Sequence, residues 1–114
     1  MKDSRIVTAL HPNSTMRILL RSMLQDPGRT VITDHSWTDL LADSDAPAPD
    51  VLLLDPSFIG QDDVDVPSLL HERWPHAEVV VLPPGLDDDA LRRDAMIRLL
   101  RTVDDLLNEP ARPG

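Results

Sequence analysis

Residues 51–54 read Val-Leu-Leu-Leu, an apolar run without a polar break, set between Asp50 and Asp55. A strand with one wet face alternates apolar and polar residues, so a continuous run of this length calls for cover on both faces. Val79-Val80-Val81 repeats the signal and is ended sharply by Pro83-Pro84-Gly85. The pair predicts two central strands of a parallel sheet, with helices on both sides.

The rest of the chain supplies those helices. Ile6–Leu10 reads as a first strand, closed by His11-Pro12-Asn13, and Met16, Leu19, Leu20, Met23 and Leu24 follow at helical spacing. Asn13 or Ser14 is placed to cap that helix, and Asp26-Pro27-Gly28 ends it. Residues 30–33 predict a short second strand, and residues 36–42 a short helix with Trp37, Leu40 and Leu41 on its apolar side. After a proline-bearing loop over residues 43–49 and the strand 51–54, a long loop spans residues 56–65. Pro67 then suits the first turn of a helix carrying Leu69, Leu70 and Trp74, which Pro75 stops. Beyond the strand at residues 78–82, Asp87-Asp88-Asp89 opens a short helix through Met96, residues 97–100 read as a last strand, and residues 103–109 as a final short helix. Alternation of this kind predicts a doubly wound α/β domain with right-handed crossovers, in which ligands sit at the carboxyl ends of the strands. Asp55 stands at such an end.

Composition narrows the function. A chain of 114 residues has the size of one domain, assigned here to residues 1–109, with residues 110–114 as a tail or the start of a linker. It has no cysteine, which excludes disulfides and thiolate metal sites. A net charge of −9, from 20 acids against 11 bases, opposes direct nucleic-acid binding. No apolar run approaches the roughly 20 residues that cross a bilayer, and the first residues carry no secretory pattern, so a cytoplasmic protein without membrane contact is expected.

The segment Pro49-Asp50-Val51-Leu52-Leu53-Leu54-Asp55-Pro56-Ser57-Phe58-Ile59-Gly60 resembles the phosphorylation motif of response-regulator receiver domains. The resemblance extends over nearly the whole chain. Arg17, Leu20, Arg21, Ser22 and Leu24 are similar to the first helix of receivers that carry a helix-turn-helix output domain, and residues 72–82 to the third helix and fourth strand. It implies a flavodoxin-like, five-stranded sheet of order 2-1-3-4-5 and places Asp55 at the phosphoacceptor position.

The partners that the family's chemistry requires are missing. An acidic pair ending the first strand holds Mg²⁺ in the family, but here that position falls among Ala9, Leu10, His11 and Pro12. The hydroxyl residue after the fourth strand is replaced by Pro83, which has neither hydroxyl nor N–H. The lysine ending the fifth strand has no counterpart, because Lys2 is the only lysine; Arg101 is the nearest match, a donor of different geometry that could lock Asp55 in an ion pair. The switch aromatic is replaced by Ile97, Arg98 and Leu99, and the stretch from Pro83 to Arg101 is shorter than usual. The degenerate pocket is therefore Leu10, His11, Pro12, Pro83 and Arg101 around an inactive Asp55. Asp62, Asp63 and Asp65 read as a solvated loop, residues 87–89 as helix-capping acids, and the histidines as non-ligands, with His11 bordering the pocket. No catalytic or metal site and no cofactor are expected.

These readings lead to an atypical, phosphorylation-independent receiver without enzymatic activity. It would control dimerisation, or the output of an attached DNA-binding domain or a partner protein, in signal transduction and transcription. Homodimer contacts are expected at the fourth helix, fifth strand and fifth helix. Two other readings stay open: a phosphoacceptor with a rebuilt pocket, and a receiver that senses a small molecule at Leu10, His11, Pro83 and Pro84.

Overall fold

The computed structural model describes residues 5–42, 47–59, 64–86 and 88–108. Four parallel strands, β1 (Arg5–Leu10), β2 (Arg29–Asp34), β3 (Val51–Leu54) and β4 (Glu78–Val81), form one sheet of order β2-β1-β3-β4. Helices α1 (Ser14–Leu24), α2 (Trp37–Ala42), α3 (Val66–Arg73) and α4 (Arg92–Asn108) cover it. No helix among the described residues is long and apolar enough to cross a membrane.

The side chains sort onto two faces by the two-residue alternation of the strands. Val7, Ala9, Val31, Val51 and Leu53 meet Met16, Leu20 and Leu24 of α1 and Ala95, Met96, Leu99, Val103 and Leu107 of α4. Leu10, Leu52 and Leu54 meet Trp37 and Leu40 of α2, Phe58 and Trp74, with Leu69 and Leu70 of α3 packed alongside. All four residues of β3 are buried, as their unbroken apolar character requires. Each fully buried Leu there contributes about 1.5–3 kcal/mol.

Local chemistry sets the helix boundaries. Asn13 caps α1 by accepting from the Met16 N–H at 3.0 Å. Asp65 caps α3, accepting from the Ser68 hydroxyl at 3.0 Å, with Pro67 in the first turn where a missing N–H costs nothing. Asp65 is thus a cap, whereas Asp62 and Asp63 lie outside the described residues. The loop after β3 begins with a 3-10 turn at Pro56–Phe58, which buries Phe58 against Trp37 with ring centroids 6.5 Å apart at an interplanar angle of 84°.

The C-terminal third departs from expectation. Residues 97–100 are not a fifth strand, and the short helices expected before and after them do not exist separately: one 17-residue helix, α4, runs through the whole region. Its buried positions 95, 99, 103 and 107 recur every four residues with 96 on the same side, the period of a helix face, and no Gly or Pro interrupts them. Four apolar-rich residues could satisfy either period when read alone, but the longer pattern decides. Turns at residues 88–91 precede α4, with Asp88 accepting from the Ala90 N–H at 2.8 Å; Asp87 lies outside the described residues.

Two corrections follow from the missing strand. Among the described residues the sheet has four strands rather than five, and β4 is an edge strand rather than a central one. Val79 and Val80 are accordingly half-buried and Val81 is exposed. The dimer contact expected at the fourth helix, fifth strand and fifth helix loses its strand.

Candidate functional site

The carboxyl ends of the strands form a row. The β1–β3 register pairs Leu10 with Leu54, so His11 and Asp55 are the next residues on adjacent strands. The Asp55 N–H donates to the Leu10 carbonyl at 3.1 Å, and the Leu82 N–H donates to the Leu54 carbonyl at 2.8 Å, which sets Leu82 across from Asp55 and Pro83 one residue beyond it. On the other side of His11, its N–H donates to the Asp34 carbonyl at 3.2 Å.

His11 is 3 % exposed, and its position is fixed at several points. Its Nδ1 accepts from the Asn13 N–H at 3.0 Å, which assigns the proton of the neutral ring to Nε2. Nε2 lies 3.5 Å from Asp55 Oδ1, an electrostatic contact at the outer limit of a hydrogen bond. The Arg17 guanidinium holds the backbone here, donating to the carbonyls of His11 at 2.8 Å and Pro12 at 3.1 Å.

Asp55 has a local structural task. Its Oδ2 accepts from the Ser57 N–H at 3.1 Å and the Ser57 hydroxyl at 2.6 Å, capping the 3-10 turn that carries Phe58 into the core. One carboxylate oxygen is therefore committed to Ser57, and the other faces His11.

The expected pocket residues divide. His11 does stand beside Asp55, while Pro83 follows two residues after the end of β4. Leu10 is not at a mouth: it is fully buried in the core with Trp37, Leu52 and Leu54, because the alternation of β1 points it toward α2. Pro12 is exposed and, with His11, lines a cleft at the start of α1. Arg101 does not reach Asp55, since it lies exposed on α4 instead of at a strand end, and the described residues contain no ion pair between them.

The donor set does not suit the divalent ion that the receiver resemblance implies. Mg²⁺ asks for hard oxygen ligands in octahedral array. The end of β1 offers an imidazole whose two nitrogens are already turned to Asn13 and Asp55, and Asp55 belongs to no cluster of three potential ligands among the described residues.

Two features were not anticipated. A cleft of about 490 Å³ lies against the start of α1, lined by residues that include His11, Pro12, Asn13 and Arg92. The Arg92 Nε donates to the Leu86 carbonyl at 2.7 Å, and its Nη2 lies 2.9 Å from the exposed Asp89 carboxylate. At the end of β2, His35 stands between two carboxylates, with Nδ1 3.4 Å from Asp34 and Nε2 2.9 Å from Asp39. Both ring nitrogens face carboxylates at the start of α2. The i,i+4 spacing of His35 and Asp39 was the sequence signal for that pair.

Comparison of the chain with family models, with curated proteins and with solved structures gives no match.

Proposed function

We propose that this chain is a receiver-like regulatory domain that has lost phosphoryl transfer and acts in the cytoplasm through protein contacts. It would set self-association, or the output of a DNA-binding domain or partner protein, without a phosphorylation cycle. The observation that carries the reading is the His11–Asp55 pair: a buried imidazole takes the place at the end of β1 where the family presents metal-binding carboxylates. A carboxylate without a divalent cation beside it repels an incoming phosphoryl group, and among the described residues no Arg or Lys side chain is paired with Asp55 to neutralise the charge that develops on transfer. Pro83 in place of a hydroxyl donor and the surface position of Arg101 support the same reading.

The test is NMR titration of the chain with Mg²⁺ and beryllofluoride, which mimics an acyl phosphate. The amide resonances of His11 and residues 55–58 are expected to stay in place. Saturable shifts centred on Asp55 would establish a working phosphoacceptor and overturn the proposal.

The cleft beside α1 favours a second reading, a receiver-like sensor of a small anionic molecule, because Arg92 stands on its rim and His11 at its base. A thermal-shift screen of small carboxylates and phosphates checks it. Stabilisation that disappears in Arg92→Ala would support the reading, and stabilisation unchanged by that substitution would reject the cleft as the site.

A further inference from the structure

The structure assigns the outer edge of β4 as a self-association surface, on which a second copy of this chain adds its own β4 in antiparallel fashion about a two-fold axis at Val80. This inference rests on the backbone of one strand and is independent of the chemistry at Asp55.

The ladder to β3 fixes which backbone groups face outward. The Glu78 N–H donates to the Asp50 carbonyl at 3.0 Å and the Leu82 N–H to the Leu54 carbonyl at 2.8 Å. In a parallel pair, alternate residues address the same neighbour, so Glu78, Val80 and Leu82 point their backbone groups at β3. Val79 and Val81 therefore point theirs the other way, where the described residues place no strand. The outward row is bounded at both ends. The Ala77 N–H is already used, donating to the Trp74 carbonyl at 3.1 Å, and Pro83 has no N–H to offer. Two outward donors remain, placed symmetrically about Val80.

That arrangement is self-complementary. With Val80 opposite the partner's Val80, Val79 faces the partner's Val81 and exchanges both N–H···O bonds with it, and Val81 does the same with the partner's Val79. Every outward backbone group of the two valines gains a partner, and the two sheets become one of eight strands. Facing residues share a side of the sheet, so the exposed Val81 side chain, 46 % accessible in the single chain, covers the partner's Val79.

Charge placement favours this register for a chain of net charge −9. The edge carries one acid, Glu78, and it falls opposite the partner's Leu82. The two Glu78 side chains are then four residues apart along the strands, about 13 Å, which exceeds the screening length of about 8 Å at physiological salt. The strand itself bears no lysine, proline or bulge of the kind that protects exposed edges.

Three readouts on the full chain test the assignment. Sedimentation velocity should give a monomer–dimer equilibrium within the micromolar range, and Val81→Lys should shift it to monomer while the far-UV spectrum and urea midpoint stay near wild type. Amide exchange by NMR should show Val79 and Val81 protected at high concentration and labile on dilution, with Val80 protected at both. Because the chain has no cysteine, Val80→Cys should form an intermolecular disulfide on mild oxidation, as facing residues of a non-bonded antiparallel pair permit. Ile18→Cys, on the exposed side of α1, should not cross-link above background. The proposal is overturned by a wild-type monomer up to high micromolar concentration. It is equally overturned by a dimer in which the Val79 and Val81 amides exchange freely, which would place the contact elsewhere.

Discussion

Replacement of Asp55 by Ala and by Asn separates a structural aspartate from a phosphoacceptor through the sign and ordering of two stability changes. In a pocket built from several carboxylates, each acid repels its neighbours, and removing one relieves the repulsion and stabilises the fold. Here Asp55 instead accepts two bonds from Ser57 and faces the Nε2 of His11. Asp55→Ala removes the cap, for which about 1 kcal/mol is typical, and the contact with His11 at 3.5 Å adds at most about 0.5 kcal/mol more at that distance. The expected loss is therefore about 1–1.5 kcal/mol, or a fall of roughly 4–10 °C in the melting midpoint of a domain this size. Asn caps nearly as well as Asp, so Asp55→Asn should cost less than about 0.5 kcal/mol. Urea unfolding followed by the fluorescence of the buried Trp37 gives both values with the slope as a control on two-state behaviour. A finding that Asp55→Ala is as stable as wild type or more so would refute the capping argument and restore a charge-strained pocket.

Four other substitutions probe the fold around the site. Leu99→Ala, at a position 2 % exposed, should cost about 2–5 kcal/mol, while Ile97→Ala, 49 % exposed, should cost less than about 1 kcal/mol; equal penalties by chemical denaturation would restore the strand over residues 97–100, where both would share a face. Trp37→Phe removes the indole N–H that donates to the Phe58 carbonyl at 2.9 Å and should cost about 2–3 kcal/mol by the same assay; a neutral result would mean that the 3-10 turn is not held from α2. Gly85→Ala should lose about 1–2 kcal/mol in calorimetric stability, because Gly85 has φ +101° and an added Cβ would lie 3.1 Å from Leu91 Cβ; an unchanged midpoint would show that the turn can adopt another shape.

The first four strands and three helices were legible because each is marked by a local signal that tertiary structure reinforces. Pro12, Pro27, Pro49, Pro75 and Pro83 punctuate the chain close to element ends, and Asn13 caps the helix it precedes. The unbroken apolar run of β3 matched complete burial, but the similar run of β4 did not. Val79–Val81 reads as a central strand because β-branched residues suit a pleated surface wherever they sit, and whether a neighbour exists beyond them is decided far away in the chain. The site was legible in part for the same reason. Strand-end residues such as His11 and Asp55 follow from strand boundaries alone, whereas the direction of Leu10 depends on the phase of β1 and the reach of Arg101 depends on which element carries it.

That last dependence joins observations that otherwise look separate. The apolar positions from Ala95 to Leu107 keep a helical period through residues 97–100, so the segment lies beside α1 over the sheet instead of entering it. The same choice places Arg101 on the surface, away from Asp55, and leaves the outward groups of Val79 and Val81 without a strand beside them among the described residues. The surface position of Arg101 and the exposure of a pairing edge are thus two results of one periodicity. A variant with that period broken, for example Leu100→Pro, should lose the helix and with it the stability of the α1–α4 face, by more than about 3 kcal/mol. It should not gain a fifth strand, because Arg98 and Arg101 would then flank a run too short to bury on both faces. Far-UV circular dichroism separates the two outcomes, and a rise in strand signal with the fold retained would show that the helix is only one of two arrangements the C-terminal third can take.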